Sequence, residues 1–241
     1  FDELTTLMNT RGYQEESVAR THRWAARCLA EHARLTAARA HKPYQALFGV
    51  VQGAQYEDLR RQAARELAGL EVDGQRFDGF GLGGALEKAN LGTIVGWMVD
   101  ELPDDKPRHL LGISEPDDIF AAIEQGIDTF DCVSPTRVAR NGAAYTPHGR
   151  VNMRGLKYRE KFEPIMDNCD CYTCQHYTAA YICHLLHAKE TLAGTLLSIH
   201  NERFIIKLVD DIRASLKDDT FYEFRDQFLA DYYLQGVKKS L

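Results

Sequence analysis

The sequence predicts an α/β fold with helices packed against a parallel sheet, and three observations carry that prediction. Four short apolar runs, at 46–51, 77–82, 109–113 and 127–133, are each closed by glycine or turn residues, as buried strands are. Segments with apolar residues at helical spacing lie between them, and the intervening loops are a few residues long. Such alternation places the strands in parallel with the helices outside.

In chain order, the stretch 15–40 has Val18, Trp24, Ala25, Cys28, Leu29 and Leu35 at three- and four-residue steps among Arg and Glu, which predicts one long helix. The strand ALFGVV (46–51) leads to a helix at 56–70, FDGFGL (77–82) to one at 91–101, and HLLGI (109–113) to one at 116–125. IDTFDCV (127–133) is the fourth strand. These units amount to half of an eight-fold βα barrel of the TIM type, where the chemistry sits at the C-terminal ends of the strands. Functional residues are therefore expected directly after each strand. Beyond Val133 the pattern gives way to a basic, glycine-containing segment, a cysteine cluster, and helices at about 179–198, 203–217 and 222–233. The tail KKSL is expected to fray. The division expected is a barrel portion at 1–150 and a metal-binding, helical portion at 151–241.

Of the 241 residues, 44% are hydrophobic and 27% charged, which suits a soluble protein with a substantial core. No stretch approaches the roughly 18 apolar residues of a membrane span, and the start FDELTTLMNT has neither a basic nor an apolar leader region. A cytoplasmic protein is the expectation. The chain opens without Met on what resembles the end of an apolar strand, so upstream sequence is expected as well.

A net charge of −6 argues against holding nucleic acid by total field. The charge is uneven, however. Between Ser134 and Lys161 lie Arg137, Arg140, Arg150, Arg154, Lys157, Arg159 and Lys161, with Glu160 as the sole acid, so this segment is either a polyanion-binding surface or a solvated loop.

Of six cysteines, Cys169, Cys171 and Cys174 crowd into six residues, whereas Cys28, Cys132 and Cys183 lie apart in apolar surroundings. That is metal usage in a reducing compartment and not a disulfide framework. Three thiols on one turn favour tetrahedral zinc, with a fourth ligand from His176, His184, His187 or His200, the nearer ones slightly favoured by spacing. An iron–sulfur cluster would need Cys183 or Cys132 as its fourth cysteine. A site closed by three thiolates and a histidine has no exchangeable position, so a structural role is expected.

Asp131 sits inside an apolar run, where a carboxylate is costly unless it is paired or does chemistry at the strand end; the plainer reading is a cap for the turn SPTR. Asp128, three residues earlier, is expected to face elsewhere. Gln52 follows the first strand, where its amide can read a base edge as donor and acceptor. GLGG (81–84) frees backbone amides for close approach to a planar ligand, although glycines are more often turn residues.

Taken in order, FDE, FGVVQG, FDGFGLGG, DDKPRHLLGI, GIDTFDCVSPTRVARNG, CDCYTCQ and LSIHN closely resemble the tRNA-guanine transglycosylases, bacterial type, over essentially the whole chain. The resemblance implies an irregular (βα)8 barrel, of which this is the C-terminal portion, with a zinc-binding subdomain and C-terminal helices. It implies replacement of the wobble guanine of GUN-anticodon tRNAs by a 7-deazaguanine, either 7-aminomethyl-7-deazaguanine or queuine, in queuosine modification. Asp131 looks like the nucleophile of a double displacement through a covalent aspartyl-ribosyl intermediate, the logic of a retaining glycosidase. Asp2, Gln52 and Gly84 match the base-recognising residues, and Leu111 sits where a side chain packs on the base plane. Arg137 and Arg140 match residues that grip the anticodon loop, from which the target nucleotide must be turned out. Cys169, Cys171, Cys174 and His200 match the ligands of one zinc ion, and a homodimer through the zinc region is implied.

Two departures stand out. The segment ALEK (85–88) replaces the family's small residue, Val, Gly and Glu in a shorter loop, leaving Glu87 as the candidate for that glutamate's role and the choice of incoming base open. The family's general acid/base aspartate and a base-stacking aromatic come from barrel strands that this chain does not contain, so the chain alone is expected to be inactive or unstable. The rival readings are a catalytically inert tRNA-binding partner subunit, which loss of the nucleophile would mark; the archaeal-type enzyme, which carries extra C-terminal domains; and a zinc-stabilised scaffold.

Overall fold

A computed structural model describes residues 1–39, 41–84, 87–113 and 115–233. The chain divides into two compact units, Phe1–Asp131 and Cys132–Leu241.

In the first unit, helix α1 (Arg11–Ala38) starts at Thr10, whose hydroxyl accepts from Tyr13 N. Its inner face buries Val18, Ala25 and Leu29, as the spacing predicts, but also Gln14, Ser17 and Thr21. Those polar groups are bonded to the segment that precedes the helix: Glu3 N donates to Thr21 Oγ1, Ser17 Oγ to Glu3 O and Gln14 Nε2 to Thr6 O. Burial of polar atoms is tolerated there because each finds a partner.

Strands β1 (Phe48–Val51), β2 (Gly79–Leu82), β3 (Arg108–Leu110) and β4 (Thr129–Phe130) form one parallel sheet in the order β1-β2-β3-β4. Helices α2 (Glu57–Gly69), α3 (Leu91–Val99) and α4 (Pro116–Glu124) connect them, and a 3-10 turn at Lys88–Asn90 precedes α3. Val51, Leu82 and Leu110 are fully buried and pack with Ile94, Val95, Met98 and Ala122 from the helices. The mixed α/β class is therefore as predicted, with four parallel strands among the described residues where a complete βα barrel needs eight. Two strands end early. β3 stops at Leu110 because Gly112 turns the backbone with φ +76°, and β4 has only two residues.

The second unit is organised by the long helix α8 (Leu192–Lys217). Around it lie α5 (Ser134–Arg140), the antiparallel hairpin of β5 (Ala143–Thr146) and β6 (Gly149–Asn152), α6 (Tyr172–His176), α7 (Ala179–His187) and α9 (Phe221–Tyr233). The hairpin turn needs Gly149, which has φ +91°. Neither α5 nor the hairpin is evident in the sequence, where both are hidden by basic residues. The predicted helices at 179–198 and 203–217 also differ from those found. The break lies at 188–191, where Lys189 takes φ +59°, and α8 runs unbroken through the polar SIHN stretch. It does so because His200 and Asn201 point inward and are satisfied: Asn201 Oδ1 accepts from Tyr145 N at 2.9 Å, and its Nδ2 donates to Pro135 O and Ala143 O, both at 3.1 Å. These bonds tie α5 and β5 to α8, which is why 132–150 groups with the second unit and not with the expected barrel portion 1–150. Among the described residues no helix is long and apolar enough to cross a membrane. The tail 238–241 and the residues Ala85 and Leu86 of the variant loop lie outside the described residues.

Candidate active site and metal centre

Parallel pairing puts Val51, Leu82, Leu110 and Phe130 in one register row. Each is the last residue of its strand, so the next residues, Gln52, Gly83, Leu111 and Asp131, emerge together along the C-terminal edge of the sheet. Three sequence-predicted site residues, Gln52, Leu111 and Asp131, are thereby gathered by register alone, with Gly83 of the GLGG motif beside them and the predicted Gly84 next in the chain.

Gln52 is 1% exposed and donates from Nε2 to Asp2 Oδ2 at 2.6 Å, bringing in a residue from the other end of the unit. Its Oε1 is buried without a hydrogen-bond partner. Gly84 has φ +79°, and a Cβ there would lie 2.5 Å from Gln52 Oε1. The glycine thus makes room for the amide itself, a tighter requirement than that of a turn. Leu111 is 41% exposed, with Cδ1 against Gly81 and Gly83.

Asp131 differs from expectation in its surroundings. Its side chain is 59% exposed, since β4 ends before it and the apolar run does not bury it. Neither is it a cap: α5 has Val133 at its N-cap and no side-chain capping bond. Asp131 Oδ1 instead accepts from Gly112 N at 3.2 Å and meets His109 Nε2 at 3.1 Å. Asp128 does face elsewhere, accepting from Arg108 N at 2.8 Å.

Three contributors escape a reading of the sequence. His109 is the first. Arg60 is the second: fully buried in α2, it donates to Ala54 O, Val51 O and Gly83 O, bridging the ends of β1 and β2 behind Gln52. Burial lowers its guanidinium to about 9. In the sequence it is one of two adjacent arginines in a helix, indistinguishable from the exposed kind. The third is the inward polar row Gln14, Ser17 and Thr21 of α1, which pins the segment carrying Asp2. That row does leave a signal, as its positions share the helix face of Val18 and Ala25.

In the second unit Cys169, Cys171, Cys174 and His200 converge, their ligand atoms all within 4.8 Å of one another. His200 Nδ1 lies 3.6, 3.7 and 3.3 Å from the three sulfurs. A tetrahedral zinc ion at ordinary bond lengths would separate nitrogen from sulfur by about 3.6 Å, so the donor set fits that ion. Of the nearer histidines, His176 and His184 are exposed and His187 Nδ1 contacts the Cys183 carbonyl at 2.8 Å. His200 Nε2 contacts Tyr145 O at 2.9 Å, an outer contact that fixes the ring and leaves Nδ1 for the ion. A hydrogen bond from Cys174 holds the Cys171 thiol down to about 4 and pushes Cys174 up. Burial opposes charge on His200, but Cys169 and Cys171 outweigh it and raise the ring to about 9. The Cys171 thiolate is thus balanced by a protonated His200 ring, and a divalent cation bound among the four ligands would take the place of those protons.

Arg137 and Arg140 lie on α5, both exposed. Arg140 borders a cleft of about 620 Å³ that also takes in Arg154 and Lys189.

Residues 1–234 match the family model described as TGT, queuine tRNA-ribosyltransferase. A queuine tRNA-ribosyltransferase of Staphylococcus haemolyticus is 42% identical over 234 residues, covering 97% of this chain and 59% of that protein. One from Streptococcus agalactiae serotype Ia is 43% identical over 233 residues, with 96% and 59% covered. One from Pediococcus pentosaceus is 41% identical over 232 residues, again with 96% and 59% covered. The chain thus spans 59% of the length of the relatives it matches.

Proposed function

The chain belongs to the queuine tRNA-ribosyltransferase family, and from that premise we propose that the protein it comes from exchanges the wobble guanine of GUN-anticodon tRNAs for a 7-deazaguanine base. The observation that carries the reading is the single row of Gln52, Gly83, Leu111 and Asp131 past the strand ends, with Asp2 bonded to Gln52.

In this mechanism Asp2 and Gln52 receive the base. The Asp2 carboxylate accepts hydrogen bonds from ring and exocyclic N–H groups, and the Gln52 amide and Gly84 backbone serve the base carbonyl side. Leu111 supplies the apolar surface for the ring face. With the nucleotide turned out of its loop, Asp131 attacks the anomeric carbon of the ribose and guanine departs. The incoming base then displaces the carboxylate from the same carbon. Two inversions retain configuration, and the covalent stage shields the abasic sugar from water.

Arg137 and Arg140 hold the anticodon loop by charge and base-edge contacts. One zinc ion, held by Cys169, Cys171, Cys174 and His200, supplies a structural cross-link between the cysteine turn and α8 and takes no part in the chemistry. A closed βα barrel in the whole protein, a homodimer through the zinc region, cytoplasmic location and a role in queuosine modification complete the reading.

The test is incorporation of labelled guanine into tRNA by the full-length protein, with guanine, 7-aminomethyl-7-deazaguanine and queuine offered separately. Exchange that proceeds normally in Asp131→Asn, or a covalent protein–RNA adduct trapped in that variant, would overturn the proposal. Binding of tRNA without exchange of any base would point instead to the inert partner subunit.

A further inference from the structure

His109 and Thr129 are register partners on β3 and β4, and Asp131, two residues beyond Thr129 and just past the end of β4, lies on the same side. The imidazole spans both: Nδ1 lies 2.8 Å from Thr129 Oγ1 and Nε2 lies 3.1 Å from Asp131 Oδ1. A carboxylate only accepts, so in the neutral ring Nε2 carries the proton and Nδ1 accepts from the threonine hydroxyl. The ring orientation is thereby set from behind. Gly112 N donates to the same oxygen, Oδ1, at 3.2 Å. The two carboxylate oxygens are therefore unequal. Oδ1 has two donors, whereas Oδ2 has no hydrogen-bond partner among the described residues on a side chain that is 59% exposed.

Resting on the reading of Asp131 as nucleophile, we infer that Oδ2 is the attacking oxygen and that His109 is the positioning residue that presents it. In the first displacement a lone pair of Oδ2 forms the bond to ribose C1′. The C1′–N9 bond breaks, and its electron pair leaves on N9 of guanine, which takes a proton from the general acid that the resemblance puts in the full-length protein's upstream strands. Asp131 becomes an ester whose carbonyl oxygen is Oδ1, still held by Gly112 N–H and His109 Nε2–H. In the second displacement N9 of the incoming base attacks C1′ and releases its proton to that same acid/base group, and the C1′–Oδ2 pair returns to the carboxylate. Donors on Oδ1 assist that departure, because they stabilise the returning charge without occupying the oxygen that bonds carbon. One fixed oxygen and one free one thus serve both steps.

The experiment uses the full-length protein with His109→Phe, His109→Gln and His109→Asn, and Asp131→Asn as control, measuring kcat and KM for guanine exchange and the yield of denaturant-stable protein–RNA adduct. The glutamine amide reaches to the place of Nε2, whereas the asparagine amide stops near that of Nδ1. His109→Phe and His109→Asn are expected to lower kcat by about tenfold or more with KM for tRNA and base little changed, and His109→Gln to restore most of the rate. Equal kcat in the glutamine and asparagine variants, or a phenylalanine variant with unchanged kcat, would overturn the inference. If the phenylalanine variant does not fold, the glutamine–asparagine comparison alone decides. Failure here remains separate from failure of the underlying reading, since an adduct in Asp131→Asn refutes the nucleophile whatever His109 does.

Discussion

Gln52 Nε2 and Asp2 Oδ2 share a hydrogen bond of 2.6 Å across fifty residues of chain, and Gly84 leaves just enough room for that amide. Replacing Gly84 by alanine places a methyl 2.5 Å from Gln52 Oε1 at φ +79°. The left-handed conformation alone costs about 1–2 kcal/mol, and the amide must swing away from Asp2. Gly84→Ala is expected to lower stability by that amount in urea unfolding and to raise KM for the free base well beyond it. A base KM that stays unchanged would show that the Gln52–Asp2 pair is not the base-recognition element.

Asn201 is fully buried and serves Tyr145 N, Pro135 O and Ala143 O with one side chain. Asn201→Leu would strand all three backbone groups, at about 1–3 kcal/mol for each one left unsatisfied. The expected result is a large drop in stability, read as a lower denaturant midpoint. A loss under about 1 kcal/mol would mean that water or rearrangement satisfies them and that α8 is anchored by its apolar face alone.

These two sites differ in how legible they are in the sequence. The strand end carrying Gln52 follows from a short apolar run closed by a turn, and the three clustered cysteines from spacing, because both are local patterns; Leu111 and Asp131 lie inside the predicted strands 109–113 and 127–133 and pass the strand ends only because β3 and β4 stop at Leu110 and Phe130. His200 is not settled by local spacing, which slightly favours nearer histidines, because the fourth ligand is chosen by how α8 packs 31 residues from Cys169. The SIHN stretch suggests a helix break for the same reason: buried, satisfied polar residues look like solvent-facing ones in sequence. Arg60 and the Gln14, Ser17 and Thr21 row are hidden alike, their partners being backbone groups that have no side-chain signature. Asp131 has its expected place in the chain but not its expected burial, since nothing local announces that β4 is two residues long.

The metal centre makes its own prediction. Full-length protein is expected to carry one zinc ion per chain, measured by elemental analysis, and Cys174→Ser or His200→Ala to abolish it. Thiolate and neutral imidazole bind the ion, so bound metal must be lost as pH falls and protons compete for the ligands. Chelation should loosen the cysteine turn from α8, seen as a lower thermal midpoint and new thiol reactivity at Cys171 and Cys174, which are buried in the structure. A protein that is free of metal, equally stable with and without chelator and fully active would remove the structural role proposed for the site.

Arg137 and Arg140 project from one face of α5 near its C-terminal end, within a segment where cations far outnumber acids, on a chain of net charge −6. Overall charge repels a polyanion, so the tRNA affinity proposed for the protein would have to come from such local groups, and each phosphate they neutralise would steepen the salt dependence. Arg137→Ala/Arg140→Ala is expected to weaken tRNA binding at low salt and to reduce the slope of log affinity against log salt by about 0.7 for each phosphate that is no longer neutralised. KM for tRNA should rise while KM for the free base holds, because in the proposed mechanism the arginines touch the loop and not the exchanged ring. If affinity falls but the slope does not, the arginines act on base edges and not on phosphates. If neither changes, the tRNA surface lies elsewhere and α5 serves only the packing against α8.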